Sequence, residues 1–211
     1  RQANALRLDW NEVLPAGECS FVLGNPPFVG KHYMVEQQKN DLRALLPTFR
    51  TVGDLDYVTG WYFKACEYIR DHPVCVAFVS TNSITQGEQA GVVWPELFRR
   101  FGIKIHFGHR TFRWESEAQG KAHVHVVIIG FGRGNGSARR IYDYDEDPEN
   151  PSIHAARNIS PYLIDAPDRV VVKQTKPICG APPMRCGNKP SDGGHLILTD
   201  DEKAELLATD P

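Results

Sequence analysis

Short apolar runs alternate with helical patterns from residue 5 to residue 130, and this alternation limits the possible folds more than any other feature. Helical patterns occupy residues 54–70 and 92–101. The alternation predicts an α/β fold with a mainly parallel sheet. The last apolar run follows a long loop instead of a helix, so we predict that it can enter the sheet antiparallel. The runs that predict strands are Ala5–Leu8, Ser20–Leu23, Val74–Val79, Ile103–Phe107 and His123–Gly130.

Composition narrows the class of protein further. The chain has 211 residues, 41% of them hydrophobic, which is enough to bury the core of one domain with part of a second. The apolar runs are too short to span a bilayer, so we expect a cytoplasmic protein. The five cysteines are scattered and predict reduced thiols. A net charge of -2 gives no general attraction to polyanions, but residues 99–113 form a basic stretch with five Lys or Arg and no acidic residue.

A change of amino-acid composition near Gly132 predicts a domain boundary, with one domain over residues 1–132 and a second region over residues 133–211. The segment GRGNGSARR after Phe131 is typical of a flexible link. Beyond it, only Val170–Val172 and Leu196–Leu198 are expected as strands. Cys179, Cys186 and His195 have a spacing that is not typical of zinc sites, so no metal is expected.

The segment Asn25–Phe28, with sequence NPPF, carries the most distinctive chemistry of the chain and directly follows a predicted strand. A residue before proline is pushed out of the helical region, and each proline fixes its own φ and lacks an N–H donor. The stiff backbone therefore offers two acceptors, the side-chain oxygen of Asn25 and the carbonyl oxygen of Pro26, to one amino group. Phe28 offers a flat face for stacking on a planar base. Open α/β sheets bind ligands at this end of their strands.

These acceptors suit methyl transfer to the amino group of a nucleobase. Such an amine is a weak nucleophile because its lone pair is delocalised into the ring. Two acceptors that hold both of its hydrogens draw the nitrogen toward tetrahedral geometry and stabilise the positive charge that develops as it attacks a methyl group. In-line alignment with the methyl donor supplies much of the remaining acceleration. A rigid turn that ends a strand is the alternative interpretation of the same four residues.

The sequence also resembles a known family over most of its length and in collinear order. NPPF resembles motif IV of the amino-methyltransferases that use S-adenosylmethionine. The wider pattern is similar to the large N6-adenine DNA methyltransferases of the MmeI-like group, which belong to Type IIG and IIL restriction-modification systems of prokaryotes. The segments that carry this second resemblance are NALRLDW, GNPPFVGK, LDYVTGWYFKA, FVSTNSITQGEQ, FRW, HVHVVIIGF, ISPYL and GNKPSDGG.

The resemblance implies roles for particular residues. The catalytic set would be Asn25, Pro26, Pro27 and Phe28, of which Asn25 also adjoins the cofactor. Asp9 matches the acidic residue that accepts from the amino group of the cofactor's adenine, and Trp10 follows it. Outside the resemblance, an Asp in this position is more often a turn or helix cap.

The implied partner is double-stranded DNA with the target adenine flipped out of the helix, because base pairing hides its amino group. Phe112 falls where the family has a second aromatic contact to the flipped base. Arg110 and Arg113 in the basic stretch adjoin Phe112 and are expected to hold phosphates, with Lys31 on the other side.

The sequence departs from the family pattern at its start. The class I S-adenosylmethionine-dependent methyltransferases have a Rossmann-like sheet whose first two strands carry a glycine-rich motif and an acidic residue. Nothing before Arg1 provides them, so we expect a partial sheet that lacks its first two strands, and a fragment that is inactive alone. The exposed sheet edge predicts self-association. The residues after ISPYL resemble the start of a target-recognition region.

Two other functions stay open. Glutamine methylation on proteins also uses an Asn-Pro-Pro-aromatic loop and poses the same chemical problem at an amide nitrogen. A non-catalytic DNA-binding module is the second alternative.

Overall fold

The computed structural model describes residues 2–47, 49, 52–114, 124–134, 138–145, 147–172, 174, 179–182 and 197–209. By its internal contacts the chain divides into two units, Arg1–Lys173 and Gln174–Pro211. Within the described ranges of the second unit there is one helix, Asp200–Thr209 (α4 in chain order), whose residues are all exposed. No helix in the described residues is long and apolar enough to cross a membrane.

The first unit contains a six-stranded sheet with the order β1-β2-β4-β3-β5-β6. β1 and β2 are parallel, as are β3 and β5, whereas β4 is antiparallel to both of its neighbours, β2 and β3. This mixed α/β sheet confirms the predicted fold class and the antiparallel entry of the last apolar run. The expectation of a mainly parallel sheet is wrong, because three of the five strand pairings among the described residues are antiparallel. The strands are β1 Phe21–Gly24, β2 Cys75–Thr81, β3 Ile103–Trp114, β4 Val124–Arg133, β5 Arg139–Asp143 and β6 Ser152–Ala156.

Three helices accompany the sheet: α1 Glu36–Leu45, α2 Thr59–Tyr68 and α3 Gly87–Phe101. α3 ends at Gly102, whose φ of 62° is the left-handed conformation that glycine adopts without a steric penalty. The helical pattern at residues 92–101 is confirmed, but the helix begins five residues earlier. Pro95 therefore lies inside the helix and not at its start.

An inner aromatic cluster, formed by Tyr62, Phe78, Trp94 and Phe131, lies at the centre of the core. Each ring is at most 2% exposed. The Tyr62 ring stacks on Phe131, with centroids 5.3 Å apart, and meets Phe78 and Trp94 edge to face. The Tyr62 hydroxyl shares a 2.8 Å hydrogen bond with the hydroxyl of Ser80, and burial raises the pKa of Tyr62 well above its ordinary value. The cluster joins α2 and α3 to the centre of the sheet.

The predicted strand at Ala5–Leu8 is wrong, because these residues form a turn. The amide groups of Arg7 and Leu8 both donate to the carbonyl of Asn4, which closes the turn. Leu6 is buried against Gly60 of α2, where a Cβ would approach a Leu6 methyl within 3.0 Å. Residues 5–8 therefore form a turn whose Leu6 side chain fills space in the core, and they do not form a strand.

The expectation of few strands after residue 131 is also wrong. β5 and β6 extend the sheet, and Arg139 and Arg140 of the expected flexible link lie in β5. Val170–Val172 is not a strand. His123, Leu196 and residues 135–137 of the link lie outside the described residues. The boundary near residue 132 stays a prediction.

The segment after β6 packs onto the sheet at Gly108 of β3. A Cβ on Gly108 would lie 2.7 Å from a methyl carbon of Leu163. Leu163 is buried and has a φ of 55°, a backbone conformation that leucine rarely adopts. An isolated bridge between Ile105 and Ile159 adds a second contact to β3. Residues 159–163 are thus attached to the same sheet as β1–β4.

Candidate active site

The segment Asn25–Phe28 follows β1 directly, at the carboxyl end of the strand. β1 is in register with β2, with Gly24 opposite Phe78. Thr81 of β2 and Phe112 of β3 both lie opposite Val126 of β4. The carboxyl ends of the three strands therefore meet at one edge of the sheet, which is where open α/β sheets bind ligands.

The two predicted acceptors have no protein partner among the described residues: neither the Asn25 side chain nor the Pro26 carbonyl is hydrogen-bonded there. Asn25 is exposed and Pro26 is buried. The next carbonyl, that of Pro27, accepts a 3.1 Å hydrogen bond from the amide of Val29. Two oxygens at the start of the segment thus stay available to an external donor, while the following residues form a turn.

A cavity of about 320 Å³ opens beside this segment. Its volume lies at the lower end of the ~300–1,000 Å³ range of ligand pockets. Most of the lining is apolar, and aromatic rings come from three separate parts of the chain. The residues that line it are Ala5, Trp10, Val22, Leu23, Gly24, Asn25, Pro26, Pro27, Trp61 and Phe78. The structure thus brings four of the predicted site residues, Trp10 and Asn25–Pro27, to one cavity.

Trp10 is held in place by two contacts. Its indole N–H donates a 2.8 Å hydrogen bond to the carbonyl of Ala5 in the N-terminal turn. Its ring meets Tyr68 of α2 edge to face, with centroids 5.5 Å apart. Because the indole donor is already used, Trp10 offers the cavity an aromatic surface and not a hydrogen bond.

Asp9 caps the short 3₁₀ helix Trp10–Glu12. Its Oδ1 atom accepts from the amide and the side-chain nitrogen of Asn11, at 2.9 and 3.3 Å. Its Oδ2 atom has no partner among the described residues, and the side chain is exposed. Asp9 is not part of the described cavity lining. The cap accounts for one oxygen and leaves the other available.

Phe28 and Lys31 lie after the acceptors and outside the cavity lining. Phe28 is half-buried. The Lys31 ammonium lies 3.5 Å from an exposed carboxylate oxygen of Asp54, and the amide of Lys31 donates to Asp56. Lys31 is therefore fixed by its backbone, while its side chain forms a weak surface ion pair.

An outer aromatic row, formed by His109, Phe112, Trp114, Tyr142 and Tyr144, follows β3 and the end of β5. His109 stacks on Tyr142 at 4.1 Å and Phe112 stacks on Tyr144 at 4.8 Å between ring centroids. The Tyr144 hydroxyl forms a 2.7 Å hydrogen bond with Nδ1 of His109. The rings are half-buried, and Trp114 is exposed. One face of Phe112 is thus covered by Tyr144.

The basic stretch is largely paired with acidic residues. Arg110 forms an ion pair with Asp143, and Lys104 pairs with Asp168. Burial alone would raise the pKa of Asp143, but its hydrogen bonds and the Arg110 charge lower the pKa below its ordinary value. Arg113 is exposed next to Phe112. The stretch therefore carries less free positive charge than its sequence indicates.

The sequence patterns did not identify Trp61 and Phe78 as site residues. Both appeared in apolar patterns that indicate core packing, and both also line the cavity. Their only sequence signal is their place in the segments LDYVTGWYFKA and FVSTNSITQGEQ. Of the cysteine and histidine set, Cys186 and His195 lie outside the described residues.

Comparisons with known proteins identify the family to which the chain belongs. Residues 1–143 match the family model described as the DNA-methyltransferase domain of MmeI, and residues 165–211 match that of the MmeI target recognition domain. The chain therefore belongs to the MmeI family of DNA methyltransferases of restriction-modification systems. Its sheet is the Rossmann-like methyltransferase sheet of that family.

Two relatives extend the match over almost the whole chain. DNA methyltransferase A of Bacillus subtilis (strain 168) is 39% identical over 209 residues, which cover 98% of this chain and 23% of that protein. The structure of the Type IIL restriction-modification enzyme MmeI in complex with DNA is 48% identical, with a TM-score of 0.90 over 99% of this chain and 28% of that chain. The chain thus spans about a quarter of the length of either relative.

Proposed function

We propose that the protein containing this chain transfers a methyl group from S-adenosylmethionine to the N6 amino group of adenine in double-stranded DNA, as part of a restriction-modification system. The observation that carries the proposal is a pair of oxygens, on Asn25 and Pro26, that have no partner among the described residues and lie beside a largely apolar cavity at the carboxyl edge of the sheet. Membership of a DNA methyltransferase family supports the reaction class.

In this proposal Asn25 and Pro26 accept one hydrogen each from the adenine amino group. Their dipoles stabilise the positive charge that develops on the nitrogen during attack. Phe28 stacks on the base, while the prolines keep the backbone from moving as the charge develops. No side chain needs to remove a proton before attack, because the nucleophile is the neutral amine. As the new N–C bond forms, the S–C bond of the methyl donor breaks, and the methylated nitrogen then releases one proton to water.

The residues present fit S-adenosylmethionine. The cavity offers the indole rings of Trp10 and Trp61 to the planar adenine of the cofactor. Oδ2 of Asp9, which has no partner among the described residues, suits the exocyclic amine of that adenine. The bound cofactor would supply an activated methyl group on a sulfonium. The chain's own contribution is to orient the acceptor amine and to exclude water with apolar side chains.

The proposed partner is double-stranded DNA with one adenine flipped out of the helix, so that its amino group reaches the oxygens of Asn25 and Pro26 beside the cavity. Phe112 is proposed to make the second aromatic contact to that base through the face not covered by Tyr144. Arg113, Lys31 and Arg110 are proposed to contact phosphates. Arg110 already forms an ion pair with Asp143, so its charge would be shared between that carboxylate and a phosphate. The match of residues 165–211 to a target recognition domain supports sequence-specific DNA binding.

Substitution of Asn25 in the full-length protein tests the role of the acceptor pair. We expect Asn25→Ala to lower methyl transfer at least ~100-fold, as does the loss of one preorganised transition-state hydrogen-bonding group. Asn25→Asp is the matched variant, because it keeps an acceptor oxygen, and should retain more activity. Tritiated cofactor with duplex DNA, followed by nucleoside mass spectrometry, gives the rate and the modified base. Full activity of Asn25→Ala, or label on protein, would overturn the proposal.

We further propose that the 211 residues alone are inactive and self-associate. β1 is an edge strand on which Phe21 and Leu23 are 69% and 76% exposed, and such an edge is prone to pair with another copy. Light scattering of the isolated chain tests the self-association, and a monomer at high concentration would contradict it. The intact protein is expected in the prokaryotic cytoplasm.

A further inference from the structure

Asp56 is a buried carboxylate that lies between the 3₁₀ helix Val52–Asp54 and α2. Its side chain and backbone are only 8% exposed together, yet no cationic side chain among the described residues forms an ion pair with it. A buried carboxylate needs hydrogen bonds to offset the loss of hydration. The hydrogen-bond donors to Asp56 therefore show which parts of the fold this residue connects.

The two carboxylate oxygens of Asp56 accept from two different parts of the sheet edge. Oδ1 accepts a 2.8 Å hydrogen bond from the amide of Lys31, three residues after NPPF. Oδ2 accepts a 2.7 Å hydrogen bond from the hydroxyl of Ser83, in the turn after β2. The Ser83 hydroxyl lies 2.9 Å from that of Thr81, the last residue of β2. Asp56 thus joins the carboxyl ends of β1 and β2.

The backbone around Asp56 strengthens this link. The amide of Tyr57 donates a 2.9 Å hydrogen bond to the carbonyl of Val29, and the amide of Asp56 donates to the side chain of Gln89 on α3. One short segment therefore contacts the loop after NPPF, the turn after β2 and the start of α3.

The NPPF segment itself has little to hold it. Its prolines cannot donate, and within the described residues its one backbone hydrogen bond is from Val29 to the carbonyl of Pro27. The position of the two acceptor oxygens depends on what anchors the residues on either side. β1 anchors the segment before Asn25, and the contacts to Val29 and Lys31 anchor it afterwards.

We propose that Asp56 is a positioning residue for methyl transfer, which fixes the NPPF segment relative to the end of β2 by accepting simultaneously from Lys31 and Ser83. The inference rests on the proposed function. A carboxylate suits this role because both oxygens accept. An amide at residue 56 keeps one acceptor oxygen for Lys31 but presents an NH₂ group to Ser83, so the Ser83 hydroxyl must accept instead of donate and the hydrogen bond to a charged oxygen is lost.

The test compares Asp56→Asn with Asp41→Asn in the full-length protein. Asp41 is a matched control, because it is 7% exposed and accepts from Asn4, Arg7 and the hydroxyl of Tyr57, and because no hydrogen bond among the described residues joins it to residues 25–31. We expect both variants to lower the Tm. Only Asp56→Asn should lower kcat, by roughly 10- to 100-fold, because small displacements of aligned groups are costly. The KM values for DNA and cofactor should change by less than about threefold.

Ser83→Ala is a milder second variant that removes one donor and keeps the carboxylate. It should lower kcat by less than Asp56→Asn does, and Ser83→Thr, which keeps a hydroxyl, should restore it. Equal kcat for wild type, Asp56→Asn and Ser83→Ala overturns the inference, as does an equal loss in Asp41→Asn. Asn25→Ala in the same assay separates the two proposals: if it is fully active, the proposed function fails, whereas its inactivity beside an active Asp56→Asn refutes only the positioning role.

Discussion

The inner aromatic cluster and the outer aromatic row use the same kind of side chain in opposite ways. In the inner cluster the rings meet mainly edge to face, at most 2% exposed, with the single hydroxyl paired to Ser80. In the outer row the rings stack closer to face to face and remain half-exposed. A residue in the first group is surrounded on all sides, whereas a residue in the second keeps a face or an edge in contact with solvent.

The difference distinguishes aromatic residues that stabilise the fold from aromatic residues that keep a surface available for contact with another molecule. Complete burial gives each inner ring its full hydrophobic contribution and leaves no surface for a ligand. Partial stacking gives each outer ring less stability but keeps a flat surface at the carboxyl edge of the sheet. Substitutions in the two groups should therefore separate unfolding from function.

The largest effect is expected for Phe131→Ala in the inner aromatic cluster. Phe131 is fully buried and packs on both Tyr62 and Phe78. Removing the ring leaves a cavity at the centre of the sheet, which should lower the free energy of unfolding by about 3–5 kcal/mol. Denaturant unfolding followed by circular dichroism measures this. A loss below that of Phe112→Ala would break the comparison.

Tyr62→Phe should cost about 1–3 kcal/mol, because the Ser80 hydroxyl stays buried without its partner. The double variant Tyr62→Phe/Ser80→Ala removes both hydroxyls and should recover part of this loss. Unfolding free energies of the two single variants and the double variant form the test. Strict additivity of the two single losses would show that the hydroxyls do not act as a pair.

Phe112→Ala in the outer aromatic row should cost only about 1 kcal/mol of stability, because the ring is half-exposed and has one close stacking partner, Tyr144. The expected loss is in DNA methylation, through a higher KM for DNA. His106→Ala, on the same strand but outside the outer aromatic row, is a control for general damage to the strand. Unchanged kinetics together with a large fall in Tm would assign Phe112 to the core.

The smallest effect is a dependence of stability on pH that arises from His109. Burial lowers the pKa of His109 and also that of His106. The unfolded chain then binds protons more readily than the folded one, so stability is constant well above pH 6.5 and falls as the pH drops from there through the lowered pKa. His109→Gln should reduce this dependence in unfolding experiments from pH 5 to 8, and His106 should account for the remainder. A stability that rises on acidification would contradict the sign.

The sequence predicted the parts of the fold that depend on local patterns. The apolar runs of β1, β2, β3 and β4 are strands, and the run before NPPF ends where the site begins. The strand prediction at Ala5–Leu8 was wrong because a run of four residues does not distinguish a strand from a turn whose leucine side chain packs into the core. β5 and β6 were missed because their mixed polar residues, such as Arg139 and Arg140, are stabilised by pairing of β5 to β3 and of β6 to β5, and not by their own pattern.

The site was predictable to a similar extent. Asn25 and Pro26 could be proposed as site residues from the chemistry of a donor-poor acceptor segment behind a strand. Asp56 could not, since its role depends on Lys31 and Ser83, which lie 25 and 27 residues away in sequence. The compensation of Arg110 by Asp143 was likewise invisible, because β3 and β5 become neighbours only in the folded sheet.

The attachment of residues 159–163 to β3 bears on the construction of chimeras. The methyltransferase match ends at residue 143 and the recognition match begins at residue 165, so the interval between them looks like spacer. Yet β6 covers the edge of β5, and the Leu163 side chain fills the notch over Gly108. A splice that removes residues 144–164 would expose the edge of β5 and the surface at Gly108, whereas a junction after residue 172 keeps both covered. When recognition modules are exchanged, the junction should therefore lie downstream of Leu163, so that this residue and its left-handed backbone conformation are retained.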